Sequence, residues 1–360
     1  MPTDQKVSKI GLASVTLRAI FAASTRIWTS PFKGNKGAAN YFKDVIFAMM
    51  RSQLGNMNLA QERYLNPLTT PVYISFAKDK GFPPDSITLA DGVQAHWIGN
   101  KNAQKTLVYF HGGGYVLPAT PAHFQYLTDM KDTLIAQGTD TAVLVLAYTL
   151  APEAHYPTQL KQAIELLRHL VETEKRDPSN LTLGGDSAGG NLTLSILSHL
   201  SHPHPLIPAL ELPAPLHAAF LLSPWVSFNT HTPSYVTNAE RDAFDARPLL
   251  RWSEAFLNSS SPFAGDFYSE PCTAPASWWE ATAGVVGEVL IWGGRYEVFL
   301  DGIEEFARRF EKGYGGSGGK VTTIITDKAA HEEMLIERML GYKQKSESAR
   351  VVEDWVKAKL

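Results

Sequence analysis

Short apolar runs alternate with amphipathic segments from Ser86 to the end of the chain. The runs SITLA, VQAHWIG and TLVYF predict the first strands, because they are apolar or alternate with a period of two. Later runs of the same kind predict more strands: AVLVLA (142–147), NLTLGG (180–185), AAFLLS (218–223), EVLIWG (288–293) and VTTIIT (321–326). The segments between these runs have helical periodicity. One predicted helix has an apolar face formed by Leu160, Ile164, Leu167 and Val171, and another has one formed by Ile303, Phe306, Ala307 and Phe310. Two more helices are predicted, one that starts at Ala188 and a last one around VVEDWVKAKL. This alternation predicts a doubly wound α/β core, in which helices cover both faces of a mostly parallel sheet.

Two stretches depart from this alternation and predict a cap. Residues 1–84 are rich in helix formers, Met and aromatic residues, and they end at the turn-prone run KGFPPDS. Residues 229–285 are dense in Ser, Pro, Thr, Asn and aromatic residues and interrupt the alternation between two predicted core strands. They end in the run SWWEATAG, whose pattern predicts a helix. Such an insertion would lie over the C-terminal edge of the sheet, where open α/β sheets bind ligands. We therefore expect a core of residues 85–228 and 286–360 that is covered by both stretches.

The composition narrows the class of protein. The chain has 360 residues, of which 44% are apolar and 19% charged, as in ordinary globular proteins. The 33 Lys and Arg against 36 Asp and Glu leave a net charge of −3 without a basic block, so a nucleic-acid partner is not expected. Cys272 is the single cysteine and cannot form an internal disulfide, which favours a cytoplasmic location.

The apolar stretch at residues 10–28 raises the question of a membrane span. Arg18 and Arg26 interrupt it well before the roughly 20 apolar residues that a spanning helix needs. We therefore expect an amphipathic, lid-like helix without stable membrane insertion, and peripheral membrane contact is the alternative.

The run GGDSAGG (184–190) lies between a predicted strand and a predicted helix. A Gly-x-Ser-x-Gly pattern in that position is a nucleophile elbow, in which a sharp strand-to-helix turn presents the serine above the sheet. Gly185 and Gly189 keep such a turn free of Cβ clashes. Ser187 is therefore the candidate nucleophile.

The run HGGGY (111–115) directly follows the predicted strand TLVYF. Acyl transfer builds negative charge on the carbonyl oxygen, and backbone N–H groups of a loop without side chains can be aimed at that charge. Gly113 and Gly114, with the N–H of Ala188 after the nucleophile, are the candidate oxyanion hole. A phosphate loop does not fit, because Leu117 stands where Gly-x-Gly-x-x-Gly needs its third glycine and no lysine follows.

Together with YTLAPE (148–153), these motifs resemble the hormone-sensitive-lipase-like branch of the α/β-hydrolase superfamily, which consists of carboxylesterases marked by His-Gly-Gly-Gly and Gly-Asp-Ser-Ala-Gly-Gly. The likeness runs from about residue 85 to the C-terminus, and Thr149 replaces the arginine of the family's Tyr-Arg-Leu-Ala-Pro-Glu segment. The resemblance implies an α/β-hydrolase fold with a helical cap over the pocket. In similar proteins the last strand and the C-terminal helix are a common dimer surface, so a homodimer is one expectation and the oligomeric state stays open.

The resemblance also implies a catalytic triad that runs Ser, acid, His along the chain. Of the 11 histidines only His331 follows EVLIWG, which makes it the expected general base. Glu297 is the first acidic residue after that run, at a position where related sequences usually carry Asp. We expect Glu297 to be the acid, because the task is to orient the imidazole and stabilise imidazolium, which a longer carboxylate can also do. Asp301 is the alternative, although its place at a helix start also suits a first-turn charge.

Other residues carry weaker signals. Tyr115 and Trp225 are candidates to line the acyl or alcohol pocket, with ordinary core packing as the alternative. His199, His202 and His204 cluster beside prolines, and we interpret them as a solvated loop because a metal site needs further ligands. No metal and no organic cofactor is expected.

These residues predict a serine carboxylesterase that acts through an acyl-enzyme. An aromatic-rich cap favours short- to medium-chain acyl esters of a small molecule. Amide hydrolysis or acyl transfer would use the same residues and is one alternative. The other is a non-catalytic ligand-binding member of the fold, as in the plant gibberellin receptors, which have lost the base; here nucleophile and candidate base are both present.

Overall fold

A computed structural model describes residues 7–260 and 263–359 of the chain. Within these residues the strands are β1 (Ser86–Thr88), β2 (Gln94–Ile98), β3 (Lys105–Phe110), β4 (Thr141–Leu146), β5 (Leu181–Asp186), β6 (Leu216–Leu222), β7 (Val286–Gly294) and β8 (Lys320–Thr326). They form one sheet in the order β1-β2-β4-β3-β5-β6-β7-β8. β2 pairs antiparallel with β1 and β4, and the remaining neighbours are parallel. The predicted strands and the mostly parallel sheet are confirmed.

The helices of the described part are α1 (Lys9–Thr29), α2 (Tyr41–Asn56), α3 (Leu59–Leu65), α4 (Thr69–Lys80), α5 (Pro121–Ala136), α6 (Thr158–Arg168), α7 (Ala188–Ser201), α8 (Ser234–Thr237), α9 (Ala246–Leu257), α10 (Leu300–Gly313), α11 (Glu333–Met339) and α12 (Glu347–Lys359). Two details differ from the sequence expectation. Val171 lies in a π-helical turn, His169–Thr173, that continues α6. The run SWWEATAG lies in a 3₁₀ helix, Ala276–Gly284, rather than in an α-helix.

Helices cover both faces of the sheet because successive strand residues point to opposite sides. Val108 and Phe110 of β3 pack in a core with α6, α7 and α10. Leu107 and Tyr109 of the same strand pack in a second core with α5 and α12. Burial of a side chain such as Leu or Phe stabilises the fold by about 1.5–3 kcal/mol. Both cores thus hold the sheet rigidly between helical layers.

The carboxyl ends of the parallel strands meet at one edge of the sheet, and the chemistry-bearing loops start there. The loop of residues 111–115 follows β3, Ser187 follows β5, Glu297 follows β7 and His331 lies beyond β8. α9 from the predicted insertion meets α2 at this edge, where Arg251 Nη2 donates to the Leu54 carbonyl at 2.9 Å. The fold therefore gathers residues that are far apart in sequence at a single site.

Candidate active site

Ser187 occupies a strained turn between β5 and α7. Its backbone has φ 48° and ψ −112°, a conformation that non-glycine residues seldom adopt. Two hydrogen bonds fix the turn: the Ser187 N–H donates to the Leu222 carbonyl at 2.8 Å, and the Ser187 carbonyl accepts from the Trp225 N–H at 2.9 Å. A Cβ at Gly189 would collide with the Phe110 carbonyl oxygen, so glycine lets α7 start directly beside β3. This geometry is that of a nucleophile elbow.

The buried carboxylate of Asp186 joins the elbow to the glycine-rich loop. It accepts hydrogen bonds from the Gly112 N–H at 2.9 Å, the Tyr109 hydroxyl at 2.6 Å and His123 Nε2 at 3.2 Å. Burial by itself would raise the pKa of Asp186, but attraction to His123 and the hydrogen bonds lower it well below its usual range. Asp186 is therefore charged and fixes the position of the loop.

Gly113 and Gly114 have φ values of 103° and 60°. The turn is closed by the Gly113 carbonyl, which accepts from the N–H groups of Val116 at 3.0 Å and Leu117 at 2.8 Å. The N–H groups of Gly113 and Gly114 donate to no other described residue. Ala188 is the first residue of α7, where backbone N–H groups have no partner within the helix. The structure therefore brings the three predicted oxyanion donors to one edge of the sheet.

Glu297 and His331 form a buried pair. His331 Nδ1 donates to Glu297 Oε2 at 2.8 Å. The other oxygen, Glu297 Oε1, accepts from the Ser223 hydroxyl at 3.1 Å and from the Gly294 N–H. Because Nδ1 carries the proton that binds the carboxylate, Nε2 of neutral His331 is the basic nitrogen.

Asp301, the alternative acid, lies elsewhere. It is in the first turn of α10, where the helix dipole favours a carboxylate, and its Oδ2 accepts from the Ser234 N–H at 2.6 Å. Of the two acidic residues considered, the structure places Glu297 beside the imidazole.

Asp242, from the predicted insertion, supports both loops. Its Oδ1 accepts from the N–H groups of His331 at 3.1 Å and Ala243 at 2.7 Å, and its Oδ2 accepts from the Val298 N–H at 2.7 Å. Burial raises the pKa of Asp242 to about 6, and attraction to His331 only partly offsets this. No local sequence pattern marks this residue, so sequence reasoning missed it.

Glu332 is a third carboxyl group at the imidazole. Its Oε1 lies 3.4 Å from His331 Nε2, and its N–H donates to the Ser223 hydroxyl at 3.2 Å. Burial and repulsion by Asp186 raise the pKa of Glu332 to about 7. Burial by itself would lower the pKa of His331, but the charge of Glu332 and the hydrogen bond to Glu297 raise it to about 10. In the sequence, Glu332 follows His331 as in the zinc motif His-Glu-x-x-His, but Leu335 stands where that motif needs its second histidine, so no motif marks Glu332.

Ser187 and His331 line the same cavity, which has a volume of about 230 Å³. Ser187, His331, Gly113, Gly114 and Glu332 line its polar part. Its apolar wall comes from α2, from the predicted insertion and from α11, through Met50, Leu54, Phe244, Trp252, Leu335 and Met339. A small group that enters this cavity can reach the Ser187 side chain and the glycine loop together.

Comparison with known proteins places this architecture in a family. Residues 107–335, more than half of the chain, match the family described as alpha/beta hydrolase fold. The chain belongs to this family. The match confirms the fold class and the resemblance that the three motifs carried.

Curated relatives of this α/β-hydrolase match about half of the chain. An acetyl-hydrolase of Streptomyces hygroscopicus is 30% identical over 51% of this chain and 57% of its own length. Arylacetamide deacetylase of Bos taurus is 26% identical over 52% of this chain and 49% of its own length. Steryl acetyl hydrolase 1 of Saccharomyces cerevisiae is 28% identical over 41% of this chain and 31% of its own length. The chain thus spans about half, or less, of the length of these relatives.

Solved structures agree on the fold over more of the chain. An esterase/lipase from an uncultured bacterium has a TM-score of 0.59 and 25% identity, covering 76% of this chain and 82% of that one. A thermostable esterase from Pseudomonas putida has a TM-score of 0.65 and 20% identity, covering 85% and 92%. The α/β-hydrolase architecture therefore extends beyond the region of family similarity.

Tyr115 and Trp225 do not line the cavity of this α/β-hydrolase. The Tyr115 ring stacks on Phe256 at 3.9 Å, and its hydroxyl donates to Asn191 Oδ1 at 2.6 Å. Trp225 is buried and its ring lies 5.0 Å from that of Phe228. Both side chains fill the interior behind the elbow, so core packing, the alternative considered from the sequence, describes them.

The histidine cluster also has a structural explanation. His199 Nδ1 accepts from the His204 N–H at 3.0 Å, and His202 Nε2 donates to the Trp278 carbonyl at 2.8 Å. His199 and His204 are buried rather than solvated, which corrects the sequence expectation. Among the described residues no group of three or more His, Cys, Asp and Glu side chains is arranged to hold a metal ion.

Proposed function

We propose that this α/β-hydrolase is a serine carboxylesterase with Ser187, His331 and Glu297 as its triad. The observation that carries the proposal is one cavity that unites an elbow serine, a histidine hydrogen-bonded to a buried carboxylate, and two glycines whose amides bind no other described residue. This combination of groups serves acyl transfer.

Acylation begins when Ser187 Oγ attacks the ester carbonyl and His331 Nε2 takes the serine proton. The imidazolium that forms is stabilised by Glu297, whose carboxylate already binds Nδ1. Negative charge develops on the carbonyl oxygen, and the N–H groups of Gly113, Gly114 and Ala188 stabilise it. Collapse of the tetrahedral intermediate transfers the proton from Nε2 to the leaving alcohol and leaves an acyl-enzyme on Ser187.

Deacylation repeats these steps with water. His331 removes a proton from a water molecule, which attacks the acyl carbonyl while the same amides stabilise the oxyanion. Return of the proton to Ser187 Oγ releases the carboxylic acid. Every proton is carried by the chain's own imidazole, so the cycle needs no cofactor.

The size and polarity of the cavity support small acyl groups. Its volume of about 230 Å³ lies below the roughly 300–1,000 Å³ of pockets that hold drug-sized ligands. Its wall is apolar, with Met50, Leu54 and Leu335 among the lining residues, which favours a short alkyl chain over a polar acyl group. Relatives named acetyl-hydrolase and arylacetamide deacetylase are consistent with a small acyl group.

A series of p-nitrophenyl esters tests this substrate class. We expect kcat/KM to be highest for acyl chains of about two to six carbons and to fall steeply for longer chains, because the cavity cannot hold them. Met50→Ala removes part of the cavity wall and so enlarges the cavity, which should move the optimal acyl length to longer chains. The matched p-nitroanilides form the control for bond type. Faster cleavage of the anilides would make the protein an amidase, and binding without any turnover would make it a ligand-binding member of the fold.

Glu332→Gln should change the pH dependence of hydrolysis. The base must be neutral to accept the serine proton, so kcat/KM rises with pH through the pKa of His331. The charge of Glu332 raises that pKa, and its removal should shift the acidic limb of the profile to lower pH by roughly 1–3 pH units. The measurement is kcat/KM for a neutral ester from acid to alkaline pH.

The control for this shift is Glu280→Gln, which removes an exposed carboxylate outside the cavity. We expect its profile to match that of the wild type. A Glu332→Gln profile with an unmoved acidic limb would show that Glu332 does not set the proton affinity of the base.

A further inference from the structure

Helix α1 exposes a continuous apolar stripe. Ile10, Leu17, Phe21 and Trp28 follow a spacing of seven, four and seven residues, which at 3.6 residues per turn places them within about 40° of one another. Their exposed fractions are 84%, 66%, 74% and 79%. The stripe continues beyond the helix to Phe32, which is also exposed. Large apolar patches of this kind mark sites of contact with another surface.

The segment that carries the stripe contains only positive charges, although Arg26, Lys33 and Lys43 are paired with acidic residues outside it. Residues 5–43 contain seven Lys and Arg and no Asp or Glu, although the whole chain has a net charge of −3. Lys9 and Arg18 lie on the two sides of the stripe, roughly 100° and 80° from its centre. Both side chains are exposed, and neither forms an ion pair with a described residue. An apolar face with cations along its edges is typical of helices that lie on membranes, where long cationic side chains reach up to the headgroups.

The other face of α1 is committed to the protein. Val15 and Ala19 are buried, and Arg26 Nε lies 3.6 Å from Asp44 Oδ2 of α2. Arg18, at the edge between the two faces, donates from Nη1 to the neutral Asn56 Oδ1 at 3.2 Å and stays exposed. The stretch Lys9–Phe32 is long and apolar enough to cross a bilayer by length and composition. A crossing, however, would break these contacts and carry Arg26 into hydrocarbon, which is costly. The contacts favour a helix that lies in the plane of the interface.

A second copy of the chain fits the stripe less well. Antiparallel pairing of two α1 helices about the middle of the stripe would bring the two Arg18 side chains together. Because residues 5–43 contain no acidic side chain, nothing on this segment would neutralise them. A membrane of anionic lipids, in contrast, offers hydrocarbon to the apolar stripe and phosphate groups to the cations along its edges.

We propose that α1 docks this protein on anionic lipid membranes. Ile10, Leu17, Phe21 and Trp28 enter the boundary between headgroups and acyl chains, and Lys9 and Arg18 contact lipid phosphates. Trp28 and Phe32 lie at the headgroup level, where aromatic side chains are favoured. None of the residues that line the catalytic cavity comes from α1. Docking is therefore independent of the chemistry at Ser187.

Co-sedimentation of the full chain with vesicles tests this surface. We expect binding to vesicles of phosphatidylcholine mixed with phosphatidylserine, weaker binding to phosphatidylcholine alone, and loss of the difference at high salt. The double variant Leu17→Ser/Phe21→Ser should bind at least about tenfold more weakly, because two apolar side chains no longer enter the lipid. Both positions are exposed, so the fold should be retained.

Leu206→Ser/Val236→Ser is the matched control, since it replaces two equally exposed apolar side chains outside α1. We expect this variant to bind vesicles like the wild type, and all three proteins to hydrolyse a soluble ester at equal rates. Three results would overturn the proposal: no binding of the wild type to anionic vesicles, equal loss of binding in the control, or a wild-type dimer that Leu17→Ser/Phe21→Ser converts to a monomer.

Discussion

Replacement of Ser187 by Ala is expected to lower the turnover of p-nitrophenyl acetate by about a million-fold, as in comparable triads. The alanine variant retains the amides of Gly113 and Gly114 and the imidazole of His331, but at position 187 it has no atom that can form the acyl-enzyme. The remaining rate reflects binding and oxyanion stabilisation only. Steady-state rates at high enzyme concentration measure this loss directly.

Two controls separate this loss from misfolding. The thermal midpoint should stay close to that of the wild type, because the elbow is held by the backbone hydrogen bonds of residue 187 to Leu222 and Trp225, which alanine keeps. The double variant Ser187→Ala/His331→Ala should be little slower than either single variant, since the two residues act as one unit. A Ser187→Ala protein that keeps more than a few per cent of the activity would require another nucleophile.

The fold was predictable because its pattern is local. The central parallel strands are buried on both faces and appear in the sequence as apolar runs such as TLVYF and AVLVLA. Glycine is needed where α7 starts beside β3. Ser187 and the glycines at 112–114 were also predictable, because each lies in a short motif directly after a predicted strand. Helix type was harder to predict, because residues 276–284 have a helical pattern whether they form an α-helix or a 3₁₀ helix.

The supporting parts of the site were not predictable, because they depend on contacts between distant segments. Asp242 precedes His331 by 89 residues and Val298 by 56, yet its carboxylate binds the N–H groups of both. Glu332 follows the base directly, but only the fold shows that its carboxyl group approaches Nε2 of His331. Aromatic residues near strand ends are equally suited to a pocket wall and to a core, which is why Tyr115 and Trp225 could not be assigned from the sequence.

Both stretches that are predicted to form the cap also bind the segment that carries His331. Lys43 of α2 binds Glu333 and Glu337 of α11 at 2.6 Å each, and α11 begins two residues after His331. Asp242 binds the His331 backbone from the other stretch. These buried ion pairs and hydrogen bonds fix the imidazole relative to the cavity wall. The cavity wall and the imidazole of His331 are thus held together by the same set of contacts.

Glu297→Gln is expected to lower turnover by about 10⁴-fold, as does the amide substitution of comparable triad acids. Glutamine has nearly the same shape, but it can donate through its amide to Nδ1 and so favour the tautomer with the proton on Nε2, which cannot accept the serine proton. It also removes the charge that stabilises imidazolium. Glu297 Oε1 accepts hydrogen bonds from the Ser223 hydroxyl and the Gly294 N–H. Loss of the negative charge therefore also weakens the hydrogen bonds that hold the side chain of residue 297 in place.

Asp301→Asn is the matched control, because it neutralises the acidic residue four positions further along while its remaining carbonyl oxygen can still accept from the Ser234 N–H. We expect its kcat to stay within about threefold of the wild type, since Asp301 makes no hydrogen bond to the imidazole. Glu297→Asp gives a further test: it keeps the charge and should recover part of the rate that Glu297→Gln loses. The opposite pattern, with an active Glu297→Gln and an inactive Asp301→Asn, would transfer the role of the acid to Asp301 and require the loop after β7 to rearrange during catalysis.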